Sequence, residues 1–359
     1  MSPAGTPGCP TPLSLNLNFN EKKGMILILR PGEAFLKSER VKRRFEGCLL
    51  ENIRQVLAGI SFSISRERGR IYLETNSVAS LKRLQWVPGI TSISPAIKTE
   101  ANPAIIIKKA LALARKHLKP GMSFAVRAKC VNQSFSARWL EKEISNSILS
   151  SISGVRVDLS NPSFTLEIEV RGKNAYLFYQ RIPGVGGLPV GSGGKVSSIC
   201  TGRPEEVIAT WFMLKRGCLV SPVIFSPRLE RVVRQLKKLH QPMNGFWVPS
   251  AFKRTWREHV VRIKVAGELG RRAGSMAIVL ADWLESIDRD FLGLDEFCSL
   301  PVLRPLVGMS AEDLKSVAST LGLPFPSQEP LMRETLSNVE ELSEKLLNSA
   351  REVSIDPYG

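Results

Sequence analysis

Gly184-Val185-Gly186-Gly187-Leu188-Pro189-Val190-Gly191-Ser192-Gly193-Gly194-Lys195 divides the chain into a basic front half and a back half that starts a new fold. Six glycines and a proline in twelve residues hold neither a regular helix nor a strand, so the segment is a connecting loop. Val196 to Cys200 follows as a short strand, Thr201-Gly202-Arg203-Pro204 as a turn, and Glu205 to Arg216 at helical spacing, closed by Gly217. A second strand, Cys218 to Phe225, completes a βαβ unit whose first turn lies at the carboxyl end of a parallel strand, the place where ligands bind in such folds.

Outward from this joint, composition sets the bounds. A chain of 359 residues with 43% hydrophobic residues predicts two or three domains with real cores. Fifty Lys and Arg against thirty-three Asp and Glu give a formal charge of +17, which favours nucleic acid or another polyanion; the bland alternative is a solvated basic surface. The cysteines, Cys9, Cys48, Cys130, Cys200, Cys218 and Cys298, never fall in a C-x-x-C pair, and with three histidines a locally spaced zinc site is not expected. They read as reduced thiols of a cytoplasmic protein. Residues 1–23, rich in Pro, Ser and Asn, read as a disordered tail, and no run approaches the about 20 apolar residues of a membrane span, so no membrane partner is expected.

In the front half, residues 24–100 alternate in the order βαββαβ: a strand at Met25 to Leu29, a helix from Ser38 to about Leu57, strands at Phe62 to Arg66 and Arg70 to Glu74, a helix at Val78 to Trp86 and a strand at Ile90 to Lys98. That order predicts a ferredoxin-like domain. Its first helix turns Phe45, Leu49, Ile53 and Val56 inward and Lys42, Arg43 and Arg44 towards solvent. Residues 101–183 form a second α/β unit, opened by an amphipathic helix at Ile105 to Lys119. Its first strand places Phe124, Val126, Ala128 and Cys130 on one face and Arg127 and Lys129 on the other. Cations on a strand face beside Ser134, Phe135 and Arg138 suit phosphate contacts and stacking on an unpaired RNA end, while the ordinary alternative is a solvated strand face.

Several runs carry a resemblance: Arg30 to Phe45; Phe124-Ala125-Val126-Arg127-Ala128-Lys129 with Ser134-Phe135; Val157-Asp158-Leu159-Ser160-Asn161-Pro162; Ile182-Pro183 running into the glycine-rich joint to Gly191; Met213-Leu214-Lys215-Arg216-Gly217-Cys218; and Ser299 to Met309. In this order, over about residues 25 to 325, they resemble the tRNA 4-thiouridine synthase family, the tRNA sulfurtransferases. The resemblance implies α+β and α/β domains in series. Residues 331–359 lie beyond the resemblance and read from their own pattern as a C-terminal tail with a more acidic helix, Val339 to Val353. Within its span the resemblance gives a ferredoxin-like domain, a THUMP domain that binds the acceptor end of tRNA, a linker at 184–195 and a doubly wound parallel-sheet PP-loop-like domain at 196–330. It also implies a homodimer, with ATP and Mg as cofactors of an active member.

The departures from the family pattern fall on the chemistry. Where the family has Ser-Gly-Gly-any-Asp-Ser around nucleotide phosphates, this chain has Thr201-Gly202-Arg203-Pro204-Glu205-Glu206. Two carboxylates at the helix N-terminus suit the dipole but repel a triphosphate. Where the family has a C-x-x-C-K-R-like segment, Lys253-Arg254 remain but Pro249 and Phe252 stand at the cysteine positions, and neither carries a persulfide. The Gly-Glu-Ser segment is replaced by Ala281-Asp282-Trp283-Leu284-Glu285-Ser286. Cys200 and Cys218 read as buried structural thiols, with Cys298 a candidate for a relocated one. A basic helix face, Arg231, Arg234, Lys237 and Lys238, opposes Leu229, Val232, Val233 and Leu236. The expectation is a non-catalytic, tRNA-binding relative. The alternatives are an active sulfurtransferase fed by a sulfur-donor protein and a tRNA-binding subunit of a catalytic paralogue.

Overall fold

The computed structural model describes residues 25–32, 38–67, 69–131, 134–251, 253, 255–283, 293–325, 332 and 335–358. The disordered tail expected at residues 1–23 lies outside them, as do 33–37 of the Arg30 to Phe45 run and residues 284–286, 252 and 254 of the altered segments.

The front unit runs β1 (Met25–Pro31), α1 (Glu39–Val56), β2 (Phe62–Glu67), β3 (Arg70–Thr75), α2 (Ala79–Leu84) and β4 (Ile90–Glu100), the βαββαβ order expected. Alternation in β1 sends Leu27 and Leu29 into a core with Leu49, Ile53 and Val56 of α1 and Leu81 and Leu84 of α2. The next unit is α3 (Pro103–His117), β5 (Ser123–Val131), α4 (Ala137–Ser151), β6 (Arg156–Val157), β7 (Phe164–Arg171), β8 (Asn174–Phe178) and β9 (Ile182–Pro183). Asn102 caps α3, its side chain accepting from Ala104 N at 2.9 Å, and Pro103 needs no partner at the first turn.

Strand β4 belongs to both units. Its residues up to Ala96 pair with β1 and those from Ile97 onward pair with β8, giving one sheet of order β2-β3-β1-β4-β8-β7-β5-β6 with β9 beside β4. The two halves fold on each other about this strand, so that Tyr72 of β3 stacks on Tyr176 of β8 at 4.4 Å between ring centroids.

The back unit contains β10 (Lys195–Cys200), α5 (Pro204–Lys215), β11 (Leu219–Phe225), α6 (Leu229–Leu236), β12 (Met243–Val248), α7 (Trp256–Arg272), β13 (Ile278–Val279), β14 (Val302–Leu303), α8 (Ala311–Thr320), α9 (Val339–Ser349) and β15 (Arg351–Ile355). Its sheet, β14-β13-β10-β11-β12-β15, is parallel except at β15. Two buried clusters, one holding Trp211 and Ile224 and the other Val223 and Val265, cover its two faces.

The C-terminal end corrects one expectation. The helix predicted over 339–353 ends at Ser349, and Arg351 to Ile355 turn back as an antiparallel edge strand against β12, with Met243 opposite Ile355. Beyond it, Tyr358 packs against the ferredoxin-like core, and Arg83 stacks its guanidinium 4.1 Å from the ring centre.

The glycine-rich joint is bonded on both sides. Gly89 N donates to Gly186 O at 2.8 Å and Asn52 donates to Val190 O at 3.2 Å on the front side; Leu188 N donates to Lys215 O at 2.9 Å and Gly191 N to Gly217 O at 2.8 Å on the back side. Gly187, at φ +75°, presses against the Lys215 carbonyl so closely that a Cβ has no room. Its glycines serve close approach of backbones rather than looseness.

Candidate functional site

Strand β10 is buried from Val196 to Cys200 and delivers Thr201 and Gly202 to the edge of the sheet, where Gly202 turns the chain at φ +100° into α5. From the first turn of α5, the Glu206 side chain reaches back over the turn. Its carboxylate accepts from Thr201 N at 2.6 Å, Thr201 Oγ1 at 2.8 Å, Gly202 N at 3.1 Å and Arg203 N at 3.0 Å. Three successive backbone amides converging at a helix N-terminus make an anion cradle, and here the anion comes from the chain itself.

Both other candidates of the turn are engaged as well. Glu205 is buried, its side chain 2% exposed, and pairs with the Arg203 guanidinium. Beside them Arg304 donates to Asp282 at 2.8 Å and, through two nitrogens, to Asp295 at 2.5 and 2.6 Å. Burial pushes the Asp282 carboxyl above the usual carboxylate range, and Arg304 acts against the shift. Thr201, Gly202, Arg203, Glu205 and Glu206 therefore do come together, as a closed set of internal pairs. In this arrangement the amide donors of the turn are taken by Glu206, and a second carboxylate, Glu205, lies buried beside them.

The back-domain thiols share one condition. Burial pushes Cys200 up to about 12, with the Glu206 charge adding to it, and burial raises Cys218 and Cys298 too. None of the three is set up as a thiolate. Pro249 follows β12, half-buried, and Lys253 is exposed. Among the described residues no cluster of three metal-ligating side chains occurs, and no helix is long and apolar enough to cross a membrane.

On the front half, Arg127 and Lys129 are exposed on the face of β5 opposite α3 and α4, as the alternation predicts. Ser134 is exposed and Phe135 half-buried in the turn beyond β5, and Arg138 is exposed on the first turn of α4. Next to Arg138 on α4 stands a residue that alternation and charge did not single out: Trp139, 42% exposed, with its ring centroid 6.1 Å from that of Phe135. Ser136 fixes it by capping α4, its hydroxyl accepting from Trp139 N at 3.1 Å. The signal in the sequence is an aromatic residue three positions past a helix cap, on the outer side of an amphipathic pattern. Arg43 and Arg44 lie apart from this group, exposed on α1. Arg43 lines a cleft with Arg66 and Arg70, and Arg44 donates to Ser192 O of the joint at 3.4 Å. Along α6, Arg231 and Arg234 are exposed and Val232 and Leu236 buried, as expected, whereas Lys237 and Lys238 fall in the 3-10 turn after the helix, half-buried, with Lys238 donating to Gly322 O.

Known proteins resemble this arrangement in sequence and in shape. Residues 26–94 match the ThiI ferredoxin-like domain family and residues 100–180 the THUMP domain family. A probable tRNA sulfurtransferase of Saccharolobus solfataricus is 32% identical over 330 residues, covering 83% of this chain and 86% of its own. That of Macrococcus caseolyticus is 30% identical, with 82% of each chain covered. Among solved structures, PH1313 from Pyrococcus horikoshii Ot3 superposes with a TM-score of 0.68 at 28% identity, over 83% of this chain and all of that one. A 4-thiouridine synthetase crystallised with RNA and bound ATP superposes with a TM-score of 0.77 over 93% of this chain and all of that one. At 22% identity, that likeness is one of fold. With a relative above 30% identity over most of both chains, the protein belongs to the tRNA sulfurtransferase family.

Proposed function

We propose that this chain is a tRNA-binding member of its family whose front half holds the acceptor end of tRNA and whose back domain is a platform without ATP-dependent thiolation chemistry. The observation that carries the reading is the Glu206 carboxylate, which takes three backbone amides and a hydroxyl of the turn where a nucleotide's phosphates would need them. Charge-assisted hydrogen bonds contribute about 1.5–3 kcal/mol each, so a triphosphate has to displace an occupant that is covalently tethered in place. The raised thiols, Cys200 and Cys218 buried and Cys298 half-buried, and the Pro249 and Phe252 substitutions support the same conclusion.

RNA binding is supported by the names of the relatives, by the RNA in the crystal of the structurally similar synthetase, by the exposed cations Arg127 and Lys129 on β5, and by Phe135, Arg138 and Trp139 at the head of α4. Phosphate contacts from the cations and a stacked terminal base on the aromatic pair are what a single-stranded RNA end offers. The site of action of such a protein is the cytoplasm. The test is to incubate the full chain with unmodified tRNA, ATP, magnesium and a persulfide donor. Binding of tRNA with no thiolated nucleoside on hydrolysis is expected, and thiolated uridine above a no-protein control overturns the reading.

A further inference from the structure

Between the two front domains, on the inner side of the fold about β4, lies a cluster of buried charge that neither turn nor thiol chemistry uses. Arg30, 6% exposed, donates to Ser94 Oγ at 2.8 Å and leaves Nε and Nη2 with no hydrogen-bond partner. Arg70 Nε and the Tyr72 hydroxyl are buried without a hydrogen bond too. All of them surround one carboxylate: Glu169 lies 3.7 Å from Arg30, 3.5 Å from Arg70 and 3.4 Å from Arg171. Arg30 Nε and the Tyr72 hydroxyl are left with no acceptor, and Arg30 Nη2 and Arg70 Nε have only the long ionic contact to Glu169, which is not the usual state of buried polar groups.

The charge does not balance inside the seam. At the rim Arg181 pairs with Glu167 at 2.7 Å and Lys98 with Glu74 at 3.0 Å. Even with Glu67, opposite Arg70 in register, assigned to Arg70, the interior keeps Arg30 and Arg171 against Glu169 alone. Burying an uncompensated cation is costly, and burial already draws the Arg30 guanidinium down to about 10. The seam also continues the cationic strand face. Lys129 stands opposite Glu169 and Arg127 opposite Glu167 on the paired strands β5 and β7, so their side chains share the face that turns inward at Arg30.

We propose that this seam is an oxyanion site that takes a phosphate-sized group, either a phosphodiester of RNA lying along the β5 face or free inorganic phosphate. The RNA alternative rests on the tRNA-binding reading above; the free-phosphate alternative does not. Guanidinium pairs and a phenolic hydroxyl are matched to such an anion, and Arg70, whose side chain is 25% exposed, opens the way to solvent.

The experiment is thermal unfolding of the full chain with inorganic phosphate, then with sulfate, against sodium chloride at equal ionic strength, on wild type, Arg70→Gln and Tyr72→Phe. The second variant removes one hydroxyl and keeps the ring stack. Phosphate is expected to raise the wild-type midpoint by about 2–5 °C at a tenfold excess over its dissociation constant, and each variant to lose at least half of that rise. A parallel arm measures tRNA affinity against salt. If the group is an RNA phosphodiester, Arg70→Gln lowers the salt slope by about one and inorganic phosphate competes with tRNA; if it is free phosphate, tRNA affinity is unchanged in both. No rise in wild type beyond the chloride control, together with an unchanged slope in Arg70→Gln, overturns the site and assigns the orphaned donors to water.

Discussion

Glu206 returns to Thr201 twice, its carboxylate accepting the amide at 2.6 Å and the hydroxyl at 2.8 Å, and so closes the turn between β10 and α5 without any ligand. Removal of that carboxylate leaves the Thr201, Gly202 and Arg203 amides without their acceptor beside a buried Glu205. Glu206→Ala is expected to cost about 2–4 kcal/mol of stability, and Glu206→Gln less, since the amide oxygen keeps one acceptor. Urea unfolding midpoints at constant slope measure it; an Ala variant within 0.5 kcal/mol of wild type would show that the turn does not depend on Glu206.

Trp139 makes the opposite kind of prediction, because it is exposed and its removal creates no cavity. Trp139→Ala is expected to leave the unfolding midpoint within about 0.5 kcal/mol of wild type and to weaken binding of a tRNA acceptor-stem RNA by about 1–3 kcal/mol, roughly fivefold to 150-fold. Reversing Arg127 and Lys129 together is expected to weaken RNA binding and to lower its salt slope by about one per lost phosphate contact. Fluorescence anisotropy at four salt concentrations reads both. Equal affinity for all three proteins removes the β5 end from the RNA site.

Gly187 tests whether the joint is rigid. With φ at +75° and the Lys215 carbonyl against its Cα, Gly187→Ala forces both a strained backbone and a shift of the two halves, at a cost of about 2 kcal/mol or more. Protease sensitivity should rise at the joint. A joint that was a loose tether would tolerate the alanine with no change in either measurement.

His240 carries the pH dependence of the contact between front and back. Trp86 stacks on its ring at 4.7 Å, the Tyr358 hydroxyl donates to its carbonyl at 3.3 Å, and burial holds its imidazole below the ordinary value of 6.5. A depressed folded value means that the unfolded chain binds the extra proton first. Stability from this group is therefore complete above about pH 6.5 and is lost as pH falls below it. His117, stacked on Phe164 and also lowered by burial, acts in the same direction. Midpoints measured from pH 8 to pH 5 should fall on the acid side, and His240→Gln should flatten part of the slope; an unaltered slope removes His240 as its source.

The parts of the fold that are legible in the sequence are those governed by local period. The alternation in β5 and the apolar stripe of α1 mark their inner faces, and the unbroken apolar run of β1 marks a strand buried on both sides. The glycines of the joint and the Pro204 helix start mark where one unit stops and the next begins. Strand β15 is not legible, because Arg351-Glu352-Val353-Ser354-Ile355 continues the polar composition of α9 and becomes a strand only by pairing with β12. The carboxylates of Glu205 and Glu206 at the head of α5 are evident from the sequence as hostile to phosphate. That one of them fills the cradle is not, since it depends on the path of the turn at Gly202. The Arg30–Glu169 seam depends on two strands far apart in the chain meeting across the fold at β4, which no periodicity encodes.

Calorimetric titration of ATP with magnesium into the full chain reads whether the back-domain turn is occupied from within. No binding heat up to millimolar nucleotide is the predicted result, with tRNA binding intact in the same preparation. Saturable binding of ATP with micromolar affinity, abolished by substitution at Thr201 or Gly202, would contradict it.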